Sequence, residues 1–315
     1  MIAIIGAGIA GLTAARTLQG AGHAVRVVEK SRGLGGRIAT RRGPHGAFDH
    51  GAQYASVRDA DFAAYCAEAA GVDACADWRF GDDDARRVVG LPGMSGLVKP
   101  LAEGIDVERE RRVTRIVRDG EAFHLEMEGG AMLGPFSHVI SAVPAPQAVP
   151  LLAEHGAPFD ALKGVDIAPC WTLMLAFAAA PALPPVKRFD GTGTLGWIAR
   201  DSAKPGRDDG SERWVVHAAP DWSRAHLEDE ADAVRGALLA ALGDEAGAAL
   251  PEVIHAATHR WRYAQVMKPL DAPFLLAPDG RLGACGDACL GGRVEAAYLS
   301  GLRLGRTMAE RLQGR

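Results

Sequence analysis

Residues 1–37 read MIAIIGAGIAGLTAARTLQGAGHAVRVVEKSRGLGGR. Ile2 to Ile5 is a short apolar run of mostly branched residues, which predicts a buried strand. Gly6, Gly8 and Gly11 follow in GxGxxG spacing, and a helical period begins at once with Ile9, Leu12, Ala15 and Leu18. The chain breaks at Gly20 and Gly22, after which Ala24 to Val28 predicts a second strand ending in Glu29. A strand, a glycine turn, a helix and a second strand tipped by an acid form the arrangement that binds a dinucleotide. Gly6 would make the tight turn, Gly8 would let the backbone approach a pyrophosphate, and Gly11 would let the helix lie close on the strand. The pyrophosphate then faces unpaired N–H groups at the positive end of the helix, and the Glu29 carboxylate can accept both hydroxyls of an adenosine ribose.

With 39 glycines in 315 residues, the spacing alone is weak, and a second match occurs at Gly191, Gly193 and Gly196. That match follows KRFD instead of an apolar strand and no helical period continues from it, so it reads as a loop. Just beyond Glu29, Gly35 and Gly36 permit close backbone approach and Arg37 offers a fork suited to pyrophosphate, a glycine-rich surface turn being the plainer alternative.

The length favours two domains, or one domain with a substantial insertion. A net charge of −4 without a basic stripe argues against nucleic acid or anionic membrane as the main partner. Five cysteines, odd in number and outside any CxxC pattern, argue against a disulfide framework or structural zinc. Asp82 to Asp84 reads as a solvated loop with no partners for a metal, and no metal site is expected. The N-terminus lacks the charged region of a signal peptide, and residues 167–186, uncharged but rich in proline, read as a buried strand with flanking loops. These features lead to the expectation of a soluble, cytoplasmic protein.

Further along, a helical pattern starts near Asp59, and VVGLPGMSGLVKPLA predicts a turn and a short helix. Val107 to Val117 and Phe123 to Met127 alternate like two strands joined at Asp119-Gly120. Ser137 to Val143 predicts a buried strand stopped by Pro144 and Pro146, where a domain boundary is placed. Residues 149–275 then mix strands (Trp171 to Ala178, Leu195 to Ala199, Trp214 to Ala218) with one helix whose core stripe is Leu227, Ala231, Val234, Leu238 and Leu242. RLGACGD predicts a last strand ending in Gly286-Asp287, and from Val294 a helix buries Ala297, Tyr298, Gly301, Leu302, Gly305, Met308 and Leu312.

Seven stretches in this order, GAGIAGL, GLGGR, FDHGAQY, PGMSGL, VISAVPAPQA, HRWRYAQV and GDACLGGRVEAAYLSG, resemble the FAD-dependent amine-oxidase-like superfamily, and within it the renalase-like bacterial enzymes. The resemblance covers essentially the whole chain. It implies an α/β fold: a Rossmann-like FAD-binding domain (1–57, 91–148 and 279–315) and a second, α+β substrate domain on a mixed sheet (58–90 and 149–278). Non-covalent FAD would be held at its pyrophosphate by Gly6, Gly8, Ala10 and Gly11, and at its ribose by Glu29 with Lys30 beside it. Gly36 and Arg37 would lie near the pyrophosphate and ribityl chain, Ala52 and Gln53 along the flavin, and Val113 at the adenine through its backbone. Gly286 and Asp287 would meet the ribityl or phosphate side, and the helix start at Arg293, Val294 and Ala297 would face the flavin pyrimidine, where it stabilises negative charge.

On the same resemblance, the expected reaction is oxidation of 2- or 6-dihydro isomers of NAD(P)H by FAD, with electrons passed to O2 to give NAD(P)+ and H2O2. A dihydropyridine gives up hydride to become aromatic and has no proton to lose, so the site needs positioning more than a general base. The absence of an evident acid–base constellation agrees with this. Candidate substrate-side residues are Gln53, Tyr54, His217, Trp261 and Tyr263, with Arg262 as a candidate for a substrate phosphate. His217, in mid-strand, reads equally as a satisfied core histidine, and Trp261 and Tyr263 as ordinary strand packing. The rival readings are an amine oxidase or desaturase on the same fold, and a non-catalytic flavin- or nucleotide-binding module. Amine oxidases of this superfamily hold a water at the flavin with a lysine, and none of the six lysines here can be assigned that place by sequence.

Overall fold

The computed structural model describes residues 1–81, 83–207 and 210–314. Among these residues the first strand, Ile2–Ile5, is buried along its whole length, as befits a strand covered on both faces. It pairs in parallel with Val25–Val28 on one side and His138–Ser141 on the other. Asp106–Glu108 extends the sheet at one edge, Leu282–Ala284 extends it at the other, and Leu275–Leu276 adds an antiparallel outer strand. Parallel neighbours need a crossover, and the Ile9–Gly20 helix supplies the first one. A Cβ on Gly11 would lie 2.1 Å from the Gly6 carbonyl oxygen, so this helix reaches the strand only because the residue is glycine. This is the Rossmann-like half of the α/β fold.

The last long helix, Val294–Gln313, lies against the first. A Cβ on Gly301 would sit 2.1 Å from the Ala10 carbonyl oxygen, and one on Gly305 would sit 2.9 Å from Thr17 Cβ, so the two backbones touch. Ala297, Tyr298, Leu302 and Met308 fill the space around that contact, whereas Leu312 is only partly buried. The beginning and end of the sequence therefore share one core.

Two expectations of strand and helix length are corrected. The alternating run from Val107 to Val117 is two strands, because Glu110 takes a left-handed conformation (φ 57°) that no ladder tolerates. Asp106–Glu108 stays in the parallel sheet, while Val113–Asp119 joins Ala122–Met127 and Met132–Phe136 in a separate antiparallel sheet. The amphipathic helix spans Ala231–Ala246, beginning after Glu230, so Leu227 lies outside it and Ala231 is exposed. Val234, Leu238 and Leu242 are its buried stripe.

That helix covers one face of a five-stranded sheet ordered Val186–Arg188, Leu195–Arg200, Glu212–Ala218, Asp166–Phe177 and Val253–Lys268, each pair antiparallel. Leu173, Leu175, Trp214, Val216 and Ile198 meet the helix. The opposite face carries Met174, Ala176 and Val215, packed on Phe48 from the N-terminal half. Between the halves, Ala55–Ser56, Arg87–Gly90 and Cys75–Asp77 form a small sheet beside the Ala60–Gly71 helix, so the expected division at 57/58 falls between a strand and the helix that follows it. Asp82 lies outside the described residues, and Asp83 is exposed and paired with Arg87. Among the described residues no helix is long and apolar enough to cross a membrane.

Candidate active site

Two glycine loops form a cradle at the end of the first strand. Gly6 has φ 103°, Gly35 has φ 101°, and the loops are tied by a bridge between Gly8 and Gly35 and by the Gly35 amide donating to the Ala7 carbonyl at 2.9 Å. Gly8 is the N-cap of the first helix, offers no side chain to its free N–H groups, and has open space where a Cβ would stand. Glu29 is buried at the strand tip and accepts the amides of Ala7 and Ser31, each at 2.8 Å. The Arg111 amide donates to the Glu29 carbonyl at 2.9 Å, which brings the buried Val113 into the same neighbourhood; Lys30 is exposed. Arg37 reaches across to the other end of the sequence, its guanidinium bonding both oxygens of Asp287 at 2.7 and 2.6 Å. Gly286 faces open space, and Arg293 caps the last helix without a side-chain bond to it.

The segment 48–54 crosses from this cradle to the five-stranded sheet. A Cβ on Gly51 would lie 2.0 Å from the Arg37 carbonyl oxygen, and the Ala52 amide donates to that oxygen at 2.9 Å, so FDHGAQY is a close backbone crossing and not a simple turn. Gln53 then meets a group of charges that sequence reasoning missed. Lys204 Nζ, fully buried, donates to Asp201 Oδ1 at 2.6 Å, Gln53 Oε1 at 3.0 Å and Asp49 Oδ2 at 3.3 Å. Arg207 holds the same Asp49 oxygen at 2.6 and 2.9 Å, while Asp49 Oδ1 accepts the Thr40 hydroxyl and the Met94 amide, both at 2.8 Å. Two cations and two carboxylates cancel, which is what allows them inside. Burial raises the Asp49 pKa, but Lys204, Arg207 and the two donors outweigh it and leave the carboxyl below its ordinary range.

A lysine can only donate, so its bond fixes Gln53 Oε1 toward Lys204 and turns Nε2 toward the Gly51 carbonyl (3.1 Å) and His217 Nε2 (3.5 Å). Trp261 Nε1 donates to the His50 carbonyl at 2.9 Å, with His50 and His259 rings packed beside it. Gln53, His217 and Trp261, far apart in sequence, are thus brought together. Burial first, then the neighbouring His259 and Arg41, pushes His50 down to about 3; burial and Lys204 push His217 down to about 4. Both imidazoles are neutral at pH 7. Tyr54 turns into an aromatic wall with Trp78, Phe80 and Trp197, its ring 5.2 to 6.3 Å from theirs.

Two expected participants do not join. Tyr263 falls where residues 168–170 oppose 261–265 in a bulge, and it makes no hydrogen bond or ring contact with the group among the described residues. Arg262 lies on the helix-covered side of its strand and bonds Glu228, so its assignment to a substrate phosphate is withdrawn.

A family profile described as an NAD(P)-binding Rossmann-like domain matches residues 4–69. A second, described as flavin containing amine oxidoreductase, matches residues 52–308, most of the chain. The chain belongs to the flavin-containing amine oxidoreductase family. Curated relatives match it over a short stretch: an L-amino-acid oxidase of Siganus canaliculatus and L-amino acid oxidase Cdc18 of Crotalus durissus cumanensis are each 56% identical over 41 residues, which is 13% of this chain and 8% of theirs. Among solved structures, a protein assigned as protoporphyrinogen oxidase from Exiguobacterium sp. 255-15 superposes with a TM-score of 0.78 at 12% identity, covering 98% of both chains. A putrescine oxidase double mutant superposes with a TM-score of 0.72 at 14% identity, covering 100% of this chain and 99% of that one.

FAD is the cofactor of this flavin-containing oxidoreductase, and the cradle fits it. Open space over Gly8, Gly33 and Gly286 leaves room for a ligand against bare backbone, and the uncapped first helix offers N–H donors to an anion. Glu29 retains lone pairs for ribose hydroxyls beyond those used by Ala7 and Ser31. Asp287 spends its carboxylate on Arg37, which makes it a support for the arginine.

Proposed function

We propose that this oxidoreductase takes a hydride from 2- or 6-dihydro isomers of NAD(P)H and delivers two electrons to O2, yielding NAD(P)+ and H2O2. FAD, held non-covalently by Gly6, Gly8, Ala10, Gly11, Glu29, Gly36, Arg37, Val113 and the start of the last helix, would supply the two-electron chemistry. The observation that carries the reading is that, among the described residues, the amine and carboxylates around Gln53, His217 and Trp261 are bound to one another, and the neutral His50 and His217, held near 3 and 4, are weak bases. Lys204, the amine nearest to them, is committed to Asp201, Asp49 and Gln53. A dihydropyridine becomes aromatic by losing hydride alone, so neutral groups that orient a flat ring suffice: the fixed Gln53 amide, the uncharged His217 and the Trp261 indole.

An amine substrate is the second reading, favoured by the aromatic wall, since such walls attract ammonium groups. Here, however, guanidinium groups already lie over those rings: Arg87 is 4.4 Å from the Phe80 centroid and Arg188 is 5.5 Å from that of Trp197. Another cation would be repelled. The test is to add aged NADH containing its isomers, without oxygen, to the yellow protein. Rapid bleaching with this donor and none with primary amines is expected. Bleaching by amines alone defeats the proposal, and no bleaching by any donor indicates a binding module.

A further inference from the structure

We propose that Arg188 is the anchor for the 5′-phosphate of the nucleotide substrate; this rests on the reading above. Direct partners across the five-stranded sheet place Arg188 opposite Trp197, Trp197 opposite His217, His217 opposite Thr172, and Thr172 opposite His259. Directly opposed residues share a face, so these five form one row. The face is the one turned toward the N-terminal half, because His217 meets Gln53 and Trp197 meets Tyr54 on it. Lys187, one residue earlier, points the other way and pairs with Glu245 of the covering helix.

Within this row Arg188 is the cation. It donates to the Tyr54 hydroxyl at 2.8 Å, lies over the Trp197 ring, and pairs with no carboxylate among the described residues. Arg262 and Arg260 are committed to Glu228, Arg87 to Asp83 and Arg200 to Glu212, whereas Arg41, also without a carboxylate partner among the described residues, lies at the opposite end of the row by His259. A guanidinium has five N–H donors in a rigid fork, so one bond to a phenol leaves a face for two phosphate oxygens. Neighbouring strands lie about 4.8 Å apart, which puts Arg188 roughly 10 Å from His217. A ribose and its 5′-phosphate, extended from a nicotinamide held at Gln53 and His217, cover a comparable distance. Trp197 stands between them, 8% exposed, with its indole N–H buried and without an acceptor among the described residues. Because Arg188 is exposed, the phosphate would rest at the mouth of the site, and the adenylate half of a dinucleotide could continue outward.

The experiment titrates the oxidised holoprotein with nicotinamide mononucleotide and, separately, nicotinamide riboside, reading the flavin spectrum and calorimetric heat. The same comparison is made for KM with the dihydro forms. In R188Q the preference for nucleotide over nucleoside is expected to fall about tenfold or more, and R188K to retain part of it, since charge survives but the fork does not. If wild type turns over the dihydro isomers and the preference is unmoved in both variants, the anchor is overturned while the functional reading stands. If wild type neither binds the probes nor turns over their dihydro forms, the functional reading falls and takes the anchor with it.

Discussion

At the scale of single residues, the contact between Arg37 and Asp287 does the most to complete the cradle, because it joins a loop that follows the first glycine turn to a helix start near the other end of the sequence. The side chains are 27% and 10% exposed, so the pair is only partly screened by water. Replacing Asp287 by Asn keeps the shape, removes the charge and leaves the guanidinium poorly compensated. D287N should unfold in urea with a loss of about 1–3 kcal/mol, and should release flavin more readily on gel filtration. Stability and flavin retention equal to wild type would show the pair to be dispensable. Both residues were recognisable separately, each beside glycines in a motif-like stretch, but their pairing was not, since 250 residues intervene. Asp49, Lys204 and Arg188 gave less signal still. A buried ion has the same local sequence as a solvated one, and only the fold decides which it becomes.

At the scale of elements, glycine carries opposite meanings in two helices. In a helix interior alanine is better than glycine by about 1 kcal/mol. At Gly236, exposed in the Ala231–Ala246 helix with open space around the missing Cβ, G236A should therefore stabilise by up to about 1 kcal/mol. At Gly301 the new methyl would meet the Ala10 carbonyl at 2.1 Å, and the helix would have to move. G301A should lose about 1–3 kcal/mol despite its better propensity, and differential scanning calorimetry of both variants should show Tm shifts of opposite sign. The helices and buried strands were legible because their periods are set by their own residues: Ile2–Ile5, Ile9–Gly20 and Val294–Gln313 fall where the pattern puts them. Val107 to Val117 misled because a left-handed glutamate breaks a ladder without disturbing the alternation of side chains. Met132–Phe136, interrupted by Gly134 and Pro135, has no strand pattern and is a strand by virtue of its partner.

At the scale of the whole molecule, the seam between the sheet systems is lined by histidines kept neutral. His50 and His217 lie near 3 and 4, and His259 and His255 are lowered as well, in each case through burial first. Since the folded values fall below the ordinary 6.5, the unfolded chain binds protons first as pH drops. The stability these groups allow is therefore complete above about pH 6.5 and is lost progressively as pH falls toward the folded values. H217N should remove its share of that slope, so that stability changes between pH 7 and pH 5 by about 1–2 kcal/mol less than in wild type in urea titrations. Equal slopes would place His217 in water. The touching backbones of the first and last helices have one more consequence, for the newborn chain. The Ile9–Gly20 helix leaves the ribosome early, but its Ala10 surface has no cover until Gly301 emerges, on the order of tens of seconds later at ordinary translation speeds. Until then that small-residue flank of the helix waits without its partner.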